Sequence, residues 1–180
     1  MAGLVPRLAL VSLVLGLLVG ATAGTAAAAS CAGAAAPATK AKREQVRDAG
    51  LCLVNAERAK KGLDSLRMSS RLRRAARDHS EHMVKRRYFA HESPNGLDMV
   101  ERAKRRGYPK GSWTLAENIA YGMGPRSSPA RIVKGWMASP LHRANILLDD
   151  VRDAGVGVAF KTPDGDTGAT YTLVLGRRGG

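Results

Sequence analysis

Apolar residues recur at helical spacing through the first two thirds of the chain and alternate near its end. In REQVRDAGLCLVNAERAKKGL, Val46, Ala49, Leu53 and Ala56 form one stripe, and lysines lead to a stop at Gly62. A second helix follows in SSRLRRAARDHSEHMVKRRYF, capped by Ser69 or Ser70. Its stripe is Leu72, Ala75, Ala76, His79 and Met83, and most of its arginines lie on other faces. GLDMVERAKRRGY reads as a shorter helix ending at Gly107. SSPARIVKGWMAS places a serine and Pro129 at a helix start, then Ile132, Val133 and Trp136 on one side. Past Asp149 the period drops to two. Strands are predicted at 155–161 and 169–176, joined by a turn at Pro163-Asp164-Gly165, with a third strand offered by TLAENIAYG at 114–122. Helices first and an antiparallel hairpin last make this an α+β chain.

The ends modify that picture. Arg7, the apolar LALVSLVLGLLVG and the small residues of ATAGTAAAAS have the layout of a secretory signal peptide over residues 1–30. A retained anchor is the alternative, although the apolar run is short for a span. AAASC loosely resembles a lipoprotein box, without the leucine three residues before the cysteine, which makes lipidation at Cys31 a third reading. Residues 31–42 are low in complexity and read as a flexible lead-in to a single domain over 43–178. Cys31 and Cys52 are the two cysteines of the chain. In an exported protein an even pair reads as one disulfide, with two free thiols as the alternative.

Charge narrows the partners. The chain holds 29 Lys and Arg against 15 Asp and Glu; the leader contains one of the basic residues, Arg7, so the balance after its removal is +13. Such a surface favours anionic partners, cell-envelope polymers or lipid headgroups among them. Few aromatics and no nucleic-acid motif argue against specific nucleic-acid binding. No transmembrane span is expected in the mature chain, and the signal-like leader places it outside the cell or at the cell envelope.

The candidate chemistry lies in four histidines and one oddly placed acid. His91-Glu92 opens like a zinc-protease helix, but a second histidine is missing and Ser93-Pro94-Asn95-Gly96 breaks the helix. His79, on an apolar stripe, reads first as a hydrogen-bonded core residue; with His82 it could grip a metal from one helix. His142 follows Ser139-Pro140, the cap and first turn of a short helix. Glu117 interrupts an apolar stretch, so it must be paired, hydrogen-bonded or protonated if buried, and one of the many arginines is the plain partner. No nucleophile elbow, phosphate loop or paired C-x-x-C is present.

Taken in order, CLVNAERAKKGL, AARDHSEHMVKRRYFAHESPNG, AENIA, GWMASPLHRANIL and DAGVGVAF resemble the bacterial CAP (SCP-like) domains of the cysteine-rich secretory, antigen 5 and pathogenesis-related superfamily, across about residues 50 to 176. The resemblance implies an α-β-α sandwich. It also implies a cleft lined by two histidines and two acids, which holds a divalent metal such as zinc in some members. His91 matches the first histidine, Glu117 the first acid and His142 the second histidine. The second acid is replaced by Ser139, three residues after Trp136. By resemblance, then, His91, Glu117, Ser139 and His142 form the cleft, with His91, His142 and Glu117 as the metal set. Since serine replaces the second acid, a hydrogen-bonded polar cleft with no metal is the alternative. The family's members use such a cleft and surface to recognise sterols, lipids or proteins, so an exported binding module is the first expectation. A metal-dependent hydrolase with Glu117 as base and a water on His91 and His142 is the alternative.

Overall fold

The computed structural model describes residues 31–108 and 113–178; the expected leader lies outside the described residues. Five helices, α1 (Arg43–Ala59), α2 (Ser70–Arg86), α3 (Met99–Arg105), α4 (Pro129–Ala138) and α5 (Pro140–Ile146), enclose a sheet of four strands. These are β1 (Arg67–Met68), β2 (Trp113–Met123), β3 (Asp153–Ala159) and β4 (Gly168–Arg178), in the order β1-β3-β4-β2. β1 runs parallel to β3, and the other pairings are antiparallel. The architecture is an α-β-α sandwich.

Alternation along the strands decides which helix meets which face. Val156 and Val158 of β3 pair with Leu173 and Tyr171 of β4, and these side chains join Leu175 in a core with Val46, Leu53 and Val54 of α1 and Ile132, Val133 and Trp136 of α4. Val54 is fully buried, whereas Ala56 of the expected stripe is only half-buried. On the opposite face stand Gly155 and Gly157. A Cβ there would lie 2.1 Å from the backbone of Leu72 and of Ala76, so α2 rides on the sheet backbone to backbone. A smaller cluster of Leu72, Ala76, Ala103, Tyr108 and Val174 fills what remains on that side.

The expected ends shift by a residue or two. The Ser69 side chain caps α2 by accepting from Leu72 N, and Asp98 caps α3 by accepting from Glu101 N. Neither Ser128 nor Ser139 makes a side-chain cap; Pro at the first position of α4 and α5 lacks the N–H that would otherwise need one. β3 starts two residues earlier than expected because Asp153 already pairs with Arg67 of β1 and Gly176 of β4. β1 is two residues long, too short for any period to announce it.

The lead-in is anchored by the expected disulfide and by a few contacts beside it. Cys31 is bonded to Cys52 across a Cα–Cα distance of 5.8 Å, which ties the lead-in to α1. Cys31 and Ala34 are buried in the main core. Ala34 O accepts from Ala130 N at 2.9 Å and Ser127 Oγ accepts from Ala38 N at 3.2 Å. Within 31–42, Cys31 and Ala34 are buried and Ala38 is half-buried, while Ala32, Ala35, Pro37, Thr39, Lys40 and Lys42 are exposed. Small residues look like a tether in composition, yet they are also what fits a narrow seam beside a disulfide.

Candidate functional site

The site is assembled from four elements around one carboxylate. Glu117 sits mid-strand in β2 opposite Val174, on the face covered by α2 and α3, with a side chain 2 % exposed. A carboxylate so placed needs partners, and the fold supplies them. Arg102 Nη2 lies 3.0 Å from Oε1 and 2.9 Å from Oε2. Arg102 is the arginine partner that the sequence left unnamed, projected inward from α3. Its Nη1 donates to Leu97 O at 2.6 Å and reaches Ser93 Oγ at 3.4 Å.

The loop between α2 and α3 delivers His91. Arg87, in the left-handed region at φ 56°, ends α2 and sends the chain back across it. Ser93 to Gly96 then closes a tight turn, with Gly96 N donating to Ser93 O at 2.8 Å and Gly96 at φ 76°. His91 Nδ1 stands 2.9 Å from Glu117 Oε1. The ionised carboxylate can only accept, so Nδ1 donates to it, and the ring that carries Nε2 is 56 % exposed.

Behind this pair lies a buried polar chain. His79, fully buried, donates from Nε2 to Ala90 O at 3.1 Å and stands 3.8 Å from Glu117. Burial holds its pKa down to about 4, against the opposing pull of Glu117, so it is neutral near pH 7. His82 Nδ1 donates to Tyr88 Oη at 2.8 Å, and Tyr88 donates to Ser93 Oγ at 3.1 Å. His79 is thus the satisfied core histidine of its plain reading. The two α2 histidines meet at one hydroxyl, since His79 Nδ1 also lies 3.5 Å from the Tyr88 Oη that His82 bonds.

His142 arrives from the other side of β2. Asn118 Nδ2 donates to His142 O at 2.9 Å, while Asn145 Nδ2 lies 2.9 Å from Asn118 Oδ1 and 3.3 Å from Glu117 O. These two asparagines pin α5 to the strand. His142 has a lowered pKa, first from burial and then from His91, whose charge it is close enough to feel. Ser139 and His142 line one end of a trough of about 540 Å³ beside α4. The structure therefore bonds His91 to Glu117 directly and sets His142 nearby, with Ser139 one turn before it.

The donors present fit a divalent metal poorly. The guanidinium of Arg102 touches both oxygens of Glu117 and fixes a positive charge where a cation would have to approach. Among the described residues, no group of three or more His, Cys, Asp or Glu side chains is placed to hold a metal ion.

Sequence reasoning missed Arg102, Tyr88, Ser93, Asn118 and Asn145. Arg102 was hidden among many basic residues, and only its position facing α2 on a short helix sets it apart. Asn118 had a visible signal: an amide next to Glu117 in an apolar strand must also find partners.

Comparison with known proteins gives the family and the fold. The model of the cysteine-rich secretory protein family matches residues 51–175. The uncharacterized protein YkwD of Bacillus subtilis is 39 % identical over 105 residues, which are 58 % of this chain and 39 % of that protein. An extracellular SCP-domain protein of Bacillus anthracis superposes with a TM-score of 0.63 at 26 % identity, over 79 % of this chain and 45 % of that one. An outer surface protein of Borrelia burgdorferi shares the fold, with a TM-score of 0.59 at 21 % identity over 72 % of this chain and 90 % of that one. The chain thus spans less than half the length of the Bacillus proteins it matches. Among the described residues no helix is long and apolar enough to cross a membrane. With its motifs in order, its three-layer fold and its family match over 51–175, the chain belongs to the cysteine-rich secretory protein (CAP) family.

Proposed function

We propose that this chain is an exported binding module of the cell envelope whose His/Glu-lined cleft recognises its ligand without a resident metal and without turnover. The observation that carries this reading is the commitment of Glu117: Arg102 takes both oxygens and His91 takes Oε1 as well. A general base must reach a substrate proton, and this carboxylate is 2 % exposed with both oxygens engaged by Arg102 and Oε1 also by His91. What the cleft presents outward is one exposed imidazole held by Glu117, which suits hydrogen-bonded recognition. Export is supported by the Cys31–Cys52 bridge, a feature of oxidising compartments, and by the extracellular and outer-surface relatives. The +14 formal charge of the whole chain favours an anionic partner such as an envelope polymer or lipid headgroup.

Cosedimentation with purified bacterial sacculi that retain teichoic acid tests the reading. Binding should survive a chelator and weaken with salt, and His91→Ala should lose most of it. Zinc-dependent cleavage of casein, abolished by chelator and by Glu117→Gln, would put the metal-dependent hydrolase in its place.

A further inference from the structure

The trough beside α4 has features that the His91–Glu117 pair does not use. β2 is an edge strand of the sheet. Strand pleating puts the peptide groups of Glu117, Ile119 and Tyr121 on the same side. That side is the outer edge, because Asn145 donates to Glu117 O and Trp136 Nε1 donates to Ile119 O at 3.2 Å. The next outward peptide group is that of Tyr121, a residue that lines the trough. Side chains of α5 and α4 occupy this edge as far as Ile119 O, and the stretch beyond it is the template left for another strand.

The opposite wall is kept low by a glycine. Gly135 lies inside α4, where glycine weakens a helix relative to any ordinary residue. No packing demands it: a Cβ at Gly135 would meet nothing within 4 Å. Its absent side chain leaves room between α4 and the β2 edge. Arg126 and Arg131 line the same trough, and neither forms an ion pair among the described residues. At the rim Tyr121, 44 % exposed, meets Phe89, 43 % exposed, edge to face at 5.0 Å.

We propose that this trough binds an extended acidic peptide, which adds as a strand on the Tyr121 edge of β2, passes over Gly135 and places carboxylates on Arg126 and Arg131. Edge pairing supplies the main-chain hydrogen bonds, and the two guanidiniums select the charge. The Phe89–Tyr121 pair offers an apolar shelf for a side chain that points away from the arginines. The proposal rests on the chain being a binding module; it does not use His91, Glu117 or Arg102, although Ser139 and His142 of the cleft line the same trough.

A random peptide library displayed on phage, panned against the full chain without its leader, tests it. Enriched sequences should carry Asp or Glu. As synthetic peptides followed by fluorescence anisotropy they should bind Gly135→Leu at least about tenfold more weakly than the parent. Leucine there fills the trough and is the better helix former, so the fold survives. The double variant Arg126→Ala/Arg131→Ala, a surface change, should lose the preference for acid and most of the salt dependence. Methylating the peptide's backbone nitrogens should abolish binding. His91→Ala should bind as the parent does, which separates failure of this site from failure of the cleft. No enrichment, a neutral or basic consensus, or equal binding by Gly135→Leu overturns the proposal. So does binding to phosphatidylglycerol vesicles that needs Arg126 and Arg131 but ignores Gly135→Leu, since the arginines would then serve a lipid surface.

Discussion

The two faces of the sheet are built from the same strands by opposite means. Toward α1 and α4, β3 and β4 present Val156, Val158, Tyr171, Leu173 and Leu175, and the layer is held by burial of large apolar side chains. Toward α2 and α3, β3 presents no side chain at all at Gly155 and Gly157, so the helix backbone comes down onto the strand. Beside that close approach the face is polar: Ser80 and Thr172 hydroxyls meet at 2.9 Å, His79 is fully buried, and Arg102 pairs with Glu117. The apolar face tolerates changes of shape but not of charge. The thin face tolerates neither, and it is the one that carries the site.

The sharpest break of that contrast is a pair of variants on neighbouring positions of β3. Val156→Asp buries an unpaired carboxylate in the main core and is expected to cost more than about 4 kcal/mol. Gly157→Val is chemically mild yet drives a side chain into the backbone of α2, and it should be comparably damaging. Exchanging the roles tests the asymmetry: Val156→Ala leaves a cavity and should cost only about 1–3 kcal/mol, by chemical denaturation. A Gly157→Val protein as stable as Val156→Ala would mean that α2 does not sit where the structure places it.

Arg102 comes next. Arg102→Met strands the buried Glu117 carboxylate and should cost about 3–5 kcal/mol, as breaking a buried pair by one partner does. Arg102→Met with Glu117→Leu removes both charges and should recover a large part of that loss. The same double variant must also misplace His91, which hangs from Glu117. Recovered stability with lost cleft binding is the expected signature. Additive losses in the double variant would show that the two side chains are not coupled.

These faces were unequally legible in the sequence. The apolar face follows from periodicity: the α1 and α4 stripes and the alternation in DAGVGVAF put Val156, Val158 and Trp136 in the core on pattern alone. The same alternation held the glycines in view, but two glycines in a strand do not say which helix lies against them. The site divides likewise. His91, Glu117 and His142 were legible from family motifs, and Glu117 also from its misfit among apolar neighbours. Arg102 was not, because a buried arginine and a solvated one look alike in a chain with 29 basic residues. Its role depends on α3 folding back under the loop of residues 87–98, a long-range fact with no local period. The buried positions of the lead-in were not legible for a related reason: alanine is ordinary both in a tether and in a tight seam, and only Cys31 signalled an anchor.

A smaller effect concerns the bridge on the apolar side. Replacing Cys31 and Cys52 by serine frees a segment of 21 residues' separation and should cost about 2–4 kcal/mol. Loss should be partial, because Ala34 and Ala38 keep their hydrogen bonds to the α4 region. Thermal melts of the oxidised parent, the reduced parent and the double serine variant check it; the last two should melt together.

The gentlest probe of the polar face uses pH alone. Burial keeps His79 near a pKa of about 4 in the folded chain, whereas in the unfolded chain it returns to its ordinary 6.5. Above 6.5 both states hold it neutral, and its contribution to stability is fully present. As pH falls from 6.5 toward 4 the unfolded chain takes up a proton that the native chain refuses, so unfolding gains ground. Over that window this one residue should remove roughly 3 kcal/mol, at about 1.36 kcal/mol per pH unit, and below it the loss levels off. His79→Gln keeps a donor for Ala90 O but cannot titrate. Its stability should lie below the parent's at neutral pH and change less between pH 6.5 and 4. Urea titrations at half-unit steps of pH measure both curves. If the two stay parallel through that range, the buried imidazole takes its proton as readily as a solvated one, and the polar face is wetter than its packing against α2 allows.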